Sequence, residues 1–349
     1  MSAEKSAFQK LTVSGSPHIH GPESVSKIMW GVVIALLPAL TVSIYYFGRP
    51  AVRTIIVSTA ACVACEWLIQ RFMLKKPVTV QDGSAVITGL LLAFNLPATL
   101  PWWMTVLGAM AAIGLAKMAY GGLGNNPFNP ALVGRVFLLI SFPVAMTTWP
   151  RPQPMADLER QAVEISAAAG STATDALTGP TPLGLIKEGL QQGMTIDESI
   201  KHLGLTPWEM LTGQHAGSLG EVSVLAILLG GLFLLWRRII TWHIPAAFLG
   251  SAFVFAAILH AADPQAFLPP GFSLLSGGIM LGAFFMATDM VTSPMTPWGK
   301  IIFGLGCGVL TILIRNFGAY PEGVSFAILI MNAFVPLINR GFKPKRYGC

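Results

Sequence analysis

Nine apolar runs recur along this 349-residue chain, at residues 28–47, 51–70, 102–122, 132–149, 222–236, 244–260, 272–290, 301–316 and 324–339. A helix needs roughly 20 such residues to cross the hydrocarbon core of a bilayer. A tenth run, 84–100, is less regular because Asn95 and Pro97 interrupt it. The predicted fold class is an all-α integral membrane protein of about ten transmembrane helices. With 53% hydrophobic and only 11% charged residues, and a mean hydropathy of +0.64, too little polar surface remains for a soluble protein of this length. The first 25 residues are polar and show no apolar core of a cleavable signal.

Lysine and arginine set the expected orientation. With the N-terminus placed in the cytoplasm, the inner segments hold thirteen of the 22 basic residues and the outer segments seven, while Lys117 and Arg135 fall within spans. Both ends are then cytoplasmic. The long polar loop between the halves, rich in Asp and Glu, lies outside. The net charge of +6 is a topology signal and gives no reason to invoke nucleic acid.

The two halves resemble each other. An interrupted span ending in Asn95-Leu-Pro97 is followed by Pro101-Trp102, a Gly/Ala-rich helix and the segment 121–130. In the second half Phe284-Phe-Met-Ala-Thr-Asp289 ends a Gly-rich span, then come Pro297-Trp298, another Gly-rich helix and the segment 316–323. Five spans per half, an odd number, predict two inverted five-helix repeats with broken helices, an arrangement that places a ligand or ion site where the halves meet. The expected organisation is a cytoplasmic segment 1–25, a first repeat 26–149, an extracytoplasmic loop 150–220, a second repeat 221–339 and a basic cytoplasmic tail 340–349.

Broken segments matter because lipid cannot satisfy free backbone groups, so a Gly/Asn/Pro-rich stretch at membrane depth must be covered by protein, ligand or a wet cavity. Gly121-Gly-Leu-Gly-Asn-Asn-Pro-Phe-Asn-Pro130 is such a stretch, and Asn125, Asn126 and Asn129 supply amide donors and acceptors. Gly122-Leu-Gly124 is not a dinucleotide fingerprint, since no strand precedes it and the third glycine is missing. Charges within spans are functional candidates because they are costly there; these are Glu66, Lys117, Arg135 and Asp289. Asp289 beside Thr288 suits Na⁺, a hard ion taking oxygen ligands, or a proton relay. Arg135 is expected to pair with the phosphate of a bound ligand or a buried carboxylate, and Lys117 to snorkel. Cys62 and Cys65 form Cys-x-x-Cys inside an apolar helix, where buried cysteine is usually a small hydrophobe. His18 and His20 lack further metal-ligand partners.

The polar loop carries Asp175-Ala-Leu-Thr178-Gly179-Pro-Thr181-Pro-Leu-Gly184. A hydroxyl among Gly and Pro sits on a tight turn, exposed to modification. The stretch resembles the Asp-x-x-(Ser/Thr)-Gly-Ala-Thr signal at which a flavin transferase joins FMN through its phosphate to the final threonine. With the Gly-Asn-Pro segment continuing into Ala131-Leu-Val-Gly-Arg135, the Phe-Phe-Met-Ala-Thr-Asp segment, a Ser-Pro-His in the polar N-terminus and a basic C-terminus, nearly the whole chain resembles the D subunits of Rnf electron-transport complexes, relatives of the B subunit of the sodium-pumping quinone reductase. The length suits the Rnf D subunit better. One departure is Pro180, where the signal has alanine, which restricts Gly179 and makes Thr178 a fallback acceptor.

The resemblance implies a flavoprotein subunit of an ion-translocating ferredoxin:NAD oxidoreductase in a bacterial inner membrane, with FMN on Thr181 facing the periplasm. Asp175, Thr178 and Gly179 would complete the signal, and Asn125, Asn126, Asn129 and Arg135 would hold the flavin. Asp289 and Thr288 would serve ion coupling, matching a segment implicated in cation uptake in the quinone reductase's B subunit. The implied partners are the flavin- and iron-sulfur-bearing subunits of the complex, the flavin transferase and membrane lipid. A second, non-covalent flavin such as riboflavin is left open, as is Na⁺ against H⁺. The broken helices alone would equally allow an inverted-repeat channel or secondary transporter without a redox role.

Overall fold

The computed structural model describes residues 24–75, 77–150, 152, 178–179, 181–204, 206–213, 215–221, 223–318, 320 and 322–343. It is an all-α membrane protein whose only described strands are two residues each. Five helical stretches are long and apolar enough to cross a membrane, and three shorter apolar helices accompany them. The first helical stretch, α1 (Val25–Leu68), is two helices that meet at a kink, as the apolar runs 28–47 and 51–70 predict. At 1.5 Å per residue its 44 residues are about twice what a bilayer needs, so it must turn. It does so at Gly48, whose φ of 58° and ψ of −137° are open to glycine alone, with Pro50 just beyond. Two spans are thus joined at a bend rather than by a loop.

After α1 come α2 (Ser84–Phe94), α3 (Trp102–Met110), which continues as a π-helix to Lys117, then α4 (Pro130–Ser141) and α5 (Pro143–Thr147). The predicted span 132–149 is therefore broken at Phe142, before Pro143. In the second half, α9 (Val224–Trp236) and α10 (His243–Ala262) precede α11 (Pro270–Leu275) and α12 (Ile279–Leu281), which runs on as a π-helix to Met286. The expected span 272–290 is interrupted at 276–278, where Gly277 has a φ of 66°. Helices α13 (Pro297–Phe317) and α14 (Val324–Gly341) close the chain.

Side-chain contacts define two faces. Ser26 Oγ meets the Gln81 carbonyl at 3.4 Å, Lys27 shares a cleft with Arg237 and Arg238, Lys300 Nζ meets Thr241 Oγ1 at 3.2 Å, and the Met295 N–H donates to Asn339 at 3.2 Å. The start of α1 and the end of α14 therefore share one face. On the other, Arg53 reaches the Leu100 carbonyl at 3.1 Å, Arg315 holds the Ser273 and Ser276 carbonyls at 2.7 and 3.0 Å, and Lys187 bonds the Gly318 carbonyl. Helix α2 enters from the first face and stops at Asn95; α12 enters from the second and stops at Met286. Helix α4 begins inside and leaves toward the second face, whereas α14 runs toward the first. The two sets of broken helices run in opposite senses, and their ends meet in the interior.

The polar segment lies on the second face and supplies α6 (Pro182–Gln191), α7 (Ile196–Leu203) and α8 (Pro207–Thr212). Strand β1 (Trp149–Pro150) pairs antiparallel with β2 (Thr178–Gly179), Trp149 opposite Gly179. That pairing returns the chain to the end of α5 just before Thr181. Helices α7 and α8 both start in capping boxes, Thr195 with Glu198 and Thr206 with Glu209. The Thr195 and Thr206 backbone N–H groups, then their hydroxyls, hold the two carboxyls below the usual carboxylate range. A depressed folded value gives a contribution that is complete above the unfolded value and lost as pH falls through the folded one. Protection of the amides at the starts of α7 and α8, taken relative to intrinsic exchange at each pH, should accordingly fall on acidification below the ordinary carboxylate range. Glu198→Gln should remove that pH dependence at α7 and leave α8 unchanged.

Candidate functional site

Thr181 is not a bare turn residue. Its extended backbone, with φ −63° and ψ 160°, makes it the N-cap of α6, and its Oγ1 accepts from the Gly184 N–H at 3.1 Å. Pro182 follows at the first helical position, where its missing N–H costs nothing. The residue is only 5% exposed. It lines a cavity of about 280 Å³ with Arg135, Leu139, Met146, Trp149, Tyr320 and Glu322. A hydroxyl at a helix N-terminus beside a buried guanidinium is suited to an attached phosphate, since free backbone N–H groups and the helix dipole favour an anion there. Trp149 and Tyr320 give the cavity aromatic walls, and buried Glu322 Oε1 is left without a partner. These residues fit a phosphorylated aromatic cofactor. Thr178 lies in β2; Asp175 is outside the described residues.

Beneath this cavity the broken ends form a polar layer. Arg135 on α4 donates to Asn95 Oδ1 at 2.8 Å, to Ser325 Oγ at 3.0 Å and to the Glu322 carboxylate, tying the end of α2 to the start of α14. Asn129 caps α4, with Oδ1 accepting from the Ala131 and Leu132 N–H groups, and its Nδ2 donates to the Met286 carbonyl at 3.2 Å. In the amide orientation that satisfies both neighbours, Asn332 accepts from the Asn129 N–H at 3.2 Å and donates to the Thr292 carbonyl at 3.1 Å. Each broken helix end thus finds a polar partner from the other half, as backbone at membrane depth requires.

On the far side of this layer lies a smaller cavity of about 90 Å³, lined by Ser84, Lys117, Asn126, Asn129, Thr288 and Asp289 together with apolar side chains. Lys117 does not snorkel. It is 2% exposed, and its ammonium sits 2.6 Å from Glu66 and 2.7 Å from Ser84 Oγ. The side chain of Lys117 leaves the end of the π-helix toward α1 rather than toward the membrane surface, and a buried carboxylate awaits it there. Asn125 is exposed at the loop, while Asn126 is buried with Oδ1 unpartnered.

The sequence signature of the NQR2, RnfD, RnfE family matches residues 12–348. The chain belongs to that family. The D subunit of the Na⁺-translocating ferredoxin:NAD⁺ oxidoreductase complex of Acetobacterium woodii is 44% identical over 97% of this chain and 95% of its own length. The corresponding subunit of the proton-translocating complex of Clostridium ljungdahlii is 42% identical over 97% and 96%. The D subunit of the ion-translocating oxidoreductase complex of Stutzerimonas stutzeri is 45% identical over 93% and 92%.

For this member of the NQR2, RnfD, RnfE family, the candidate residues divide into two groups. Thr181 and Arg135 share the larger cavity; Asn126, Asn129, Thr288 and Asp289 share the smaller one. The single pocket that the sequence suggests, with Asn126 and Asn129 beside Arg135 on one flavin, is replaced by two cavities separated by the polar layer. Glu322, Ser325 and Asn332 are the members sequence reasoning missed. The signal for them was Glu322 in the segment 316–323, the counterpart of the Gly-Asn-Pro stretch. Cys62 is buried, and no group of three His, Cys, Asp or Glu among the described residues could hold a metal ion.

Proposed function

We propose that the chain is the flavin-bearing membrane subunit of an ion-translocating ferredoxin:NAD oxidoreductase complex, with FMN joined through its phosphate to Thr181. The observation that carries this reading is the buried Thr181 hydroxyl at the start of α6, opening onto the cavity that also holds Arg135, Trp149 and Tyr320. FMN, when bound, would supply the one- and two-electron chemistry that no side chain has. Thr181 Oγ1 would carry the phosphate. The α6 N-terminus and Arg135 would neutralise it, and Glu322, Asn95 and Ser325 would hold the guanidinium in place. Trp149 and Tyr320 would keep the ring side of the cavity dry. Asn126 and Asn129, across the layer, would serve a second, non-covalent flavin such as riboflavin if one binds.

Asp289, with Thr288, is the proposed ion-coupling residue in the smaller cavity. The excess of basic residues on the face bearing both described ends supports an inner-membrane orientation with cytoplasmic termini and a periplasmic Thr181. The names of the three relatives support a place beside the other subunits of an ion-translocating oxidoreductase complex; on the flavin reading those partners would carry flavins and iron-sulfur clusters, and a flavin transferase would be needed for maturation.

Thr181→Ala tests the assignment. Ultraviolet in-gel fluorescence after denaturation and an intact mass should show one FMN-sized adduct on the wild-type chain and on Thr178→Ala, and none on Thr181→Ala. Fluorescence retained in Thr181→Ala but lost in Thr178→Ala would move the linkage. A wild-type chain without any adduct would favour the inverted-repeat transporter.

A further inference from the structure

The crevice between α1 and α9 changes character with depth. On the face bearing both described ends it is a cleft of about 230 Å³, lined by Lys27, Ile28 and the segment Trp236-Arg237-Arg238-Ile239. Farther along the same two helices it becomes an apolar groove of about 420 Å³, with Ile34, Leu37 and Thr41 on one side and Leu229 and Phe233 on the other. Its floor is where the helices touch: a Cβ on Gly230 would collide with the Ala35 carbonyl. The groove lies about 10–21 Å along α1 from Lys27, the depth of acyl chains below a headgroup. Exposed Trp30, Trp236 and Trp242 lie close in sequence to the cleft, and such indoles settle at headgroup level. Arg238 is held there under strain. The N–H groups of Arg238 and Ile239 donate to the Leu235 and Leu234 carbonyls at 3.0 and 2.9 Å, so α9 ends in a Schellman motif whose left-handed residue is Arg238, with φ 56°. Glycine is the usual residue at that position, because it carries no side chain to strain. A basic inner face needs charge, which any neighbouring position would supply; it does not need an arginine in left-handed backbone. Strain of this kind collects where the strained residue has a use.

We propose that this crevice binds one anionic phospholipid, with its phosphate on Arg237 and Arg238 and an acyl chain in the groove leading to Thr41. Guanidinium forks match pairs of phosphate oxygens, and basic pockets between transmembrane helices are where acidic headgroups settle. A zwitterionic lipid could fill the groove equally well, but it would bring its own ammonium to a cleft that is already positive. A transmembrane helix of another subunit would fill the groove and leave the basic cleft at its end unanswered. Ile28 and Ile239 line both this cleft and the smaller interior cavity. The lipid therefore braces the wall that α1 and α9 give to that cavity.

The probe is dioleoyl phosphatidylglycerol, with phosphatidylcholine of the same chains as the zwitterionic control and glycerol phosphate as the headgroup alone. Each is titrated onto the full-length protein, delipidated in a neutral detergent, and followed by native mass spectrometry and by the unfolding midpoint. Wild type should hold one phosphatidylglycerol at least tenfold more tightly than phosphatidylcholine and melt higher with it; glycerol phosphate should do neither. Arg238→Gly should melt at least as high as wild type without lipid, since glycine is at ease in left-handed backbone, yet bind phosphatidylglycerol at least tenfold more weakly. A merely structural arginine would not raise the one and lower the other. Arg237→Gln should also weaken phosphatidylglycerol, and Thr41→Trp, which fills the groove and leaves the charges alone, should weaken both lipids. Equal binding of the two lipids, or wild-type affinity in both arginine variants, would overturn the site and leave Arg237 and Arg238 as topology signals only. Glycerol phosphate bound as tightly as the lipid would replace the phospholipid with a free phosphate. Affinity indifferent to Thr41→Trp would take the acyl chain out of the groove and overturn the lipid's placement there.

Discussion

Arg135→Met should destabilise the protein by about 3–5 kcal/mol, the usual cost of leaving one half of a buried ion pair without the other. Arg135 holds three groups at once: Glu322, Asn95 and Ser325. Removing it strands a carboxylate whose Oε1 already lacks a partner, and frees the capping end of α2 from the start of α14. Thermal or dodecyl-sulfate unfolding in lipid-detergent micelles should show the loss as a clear fall in the midpoint. Arg135→Met/Glu322→Gln removes both charges and should recover most of it. Arg135→Lys should fall between, because an ammonium keeps the charge but lacks the fork that reaches Asn95 and Glu322 together. A single variant within about 1 kcal/mol of wild type, the value of an exposed pair, would show that the polar layer is held by its amides alone. On the proposal that FMN is joined to Thr181, its reduction potential would be an independent readout, because Arg135 would then lie in the cavity that holds the phosphate.

The spans were legible because bilayer thickness is a local length test that each run of apolar residues meets on its own. The segment around Thr181 stood out for the same local reason, since Asp175, Gly179 and the prolines lie within a few residues of it, but the burial of Thr181 as the N-cap of α6, where the sequence suggests an exposed turn, did not. The tightness of the bend at Gly48 was not legible, because hydropathy marks the break between two runs without showing how few residues turn the chain there. The partners of the buried charges were hidden by distance along the chain. Lys117 and Glu66 are 51 residues apart, and Arg135 and Glu322 are 187 apart. Each charge alone looked anomalous, and only the fold supplies the other member. The division into two cavities has the same origin. Asn129 and Arg135 are six residues apart on one helix, which suggests a shared ligand. Those six residues are more than a turn and a half of helix, about 9 Å of rise, and they carry Arg135 through the layer to the Thr181 side.

Asn129 shows what that layer is worth. Its Oδ1 caps α4 and its Nδ2 satisfies the carbonyl at the end of the interrupted helix from the other half. Asn129→Leu loses a cap, about 0.5–2 kcal/mol, and leaves the Met286 carbonyl without its side-chain donor, about 1–3 kcal/mol more. The expected unfolding midpoint lies well below wild type and near that of Arg135→Met. Asn129→Asp separates the two contributions. A carboxylate caps a helix N-terminus as well as an amide does, yet it can donate nothing to Met286 and faces its carbonyl oxygen instead. The cap is then kept and the tie between halves is lost. If the tie is what seals one cavity from the other, Asn129→Asp should keep most of the cap's stability while letting protons or Na⁺ leak through vesicles carrying the protein, with no electron donor present. A tight vesicle with Asn129→Asp would assign the seal to Arg135 and Glu322, and would leave Asn129 a purely local role at the start of α4.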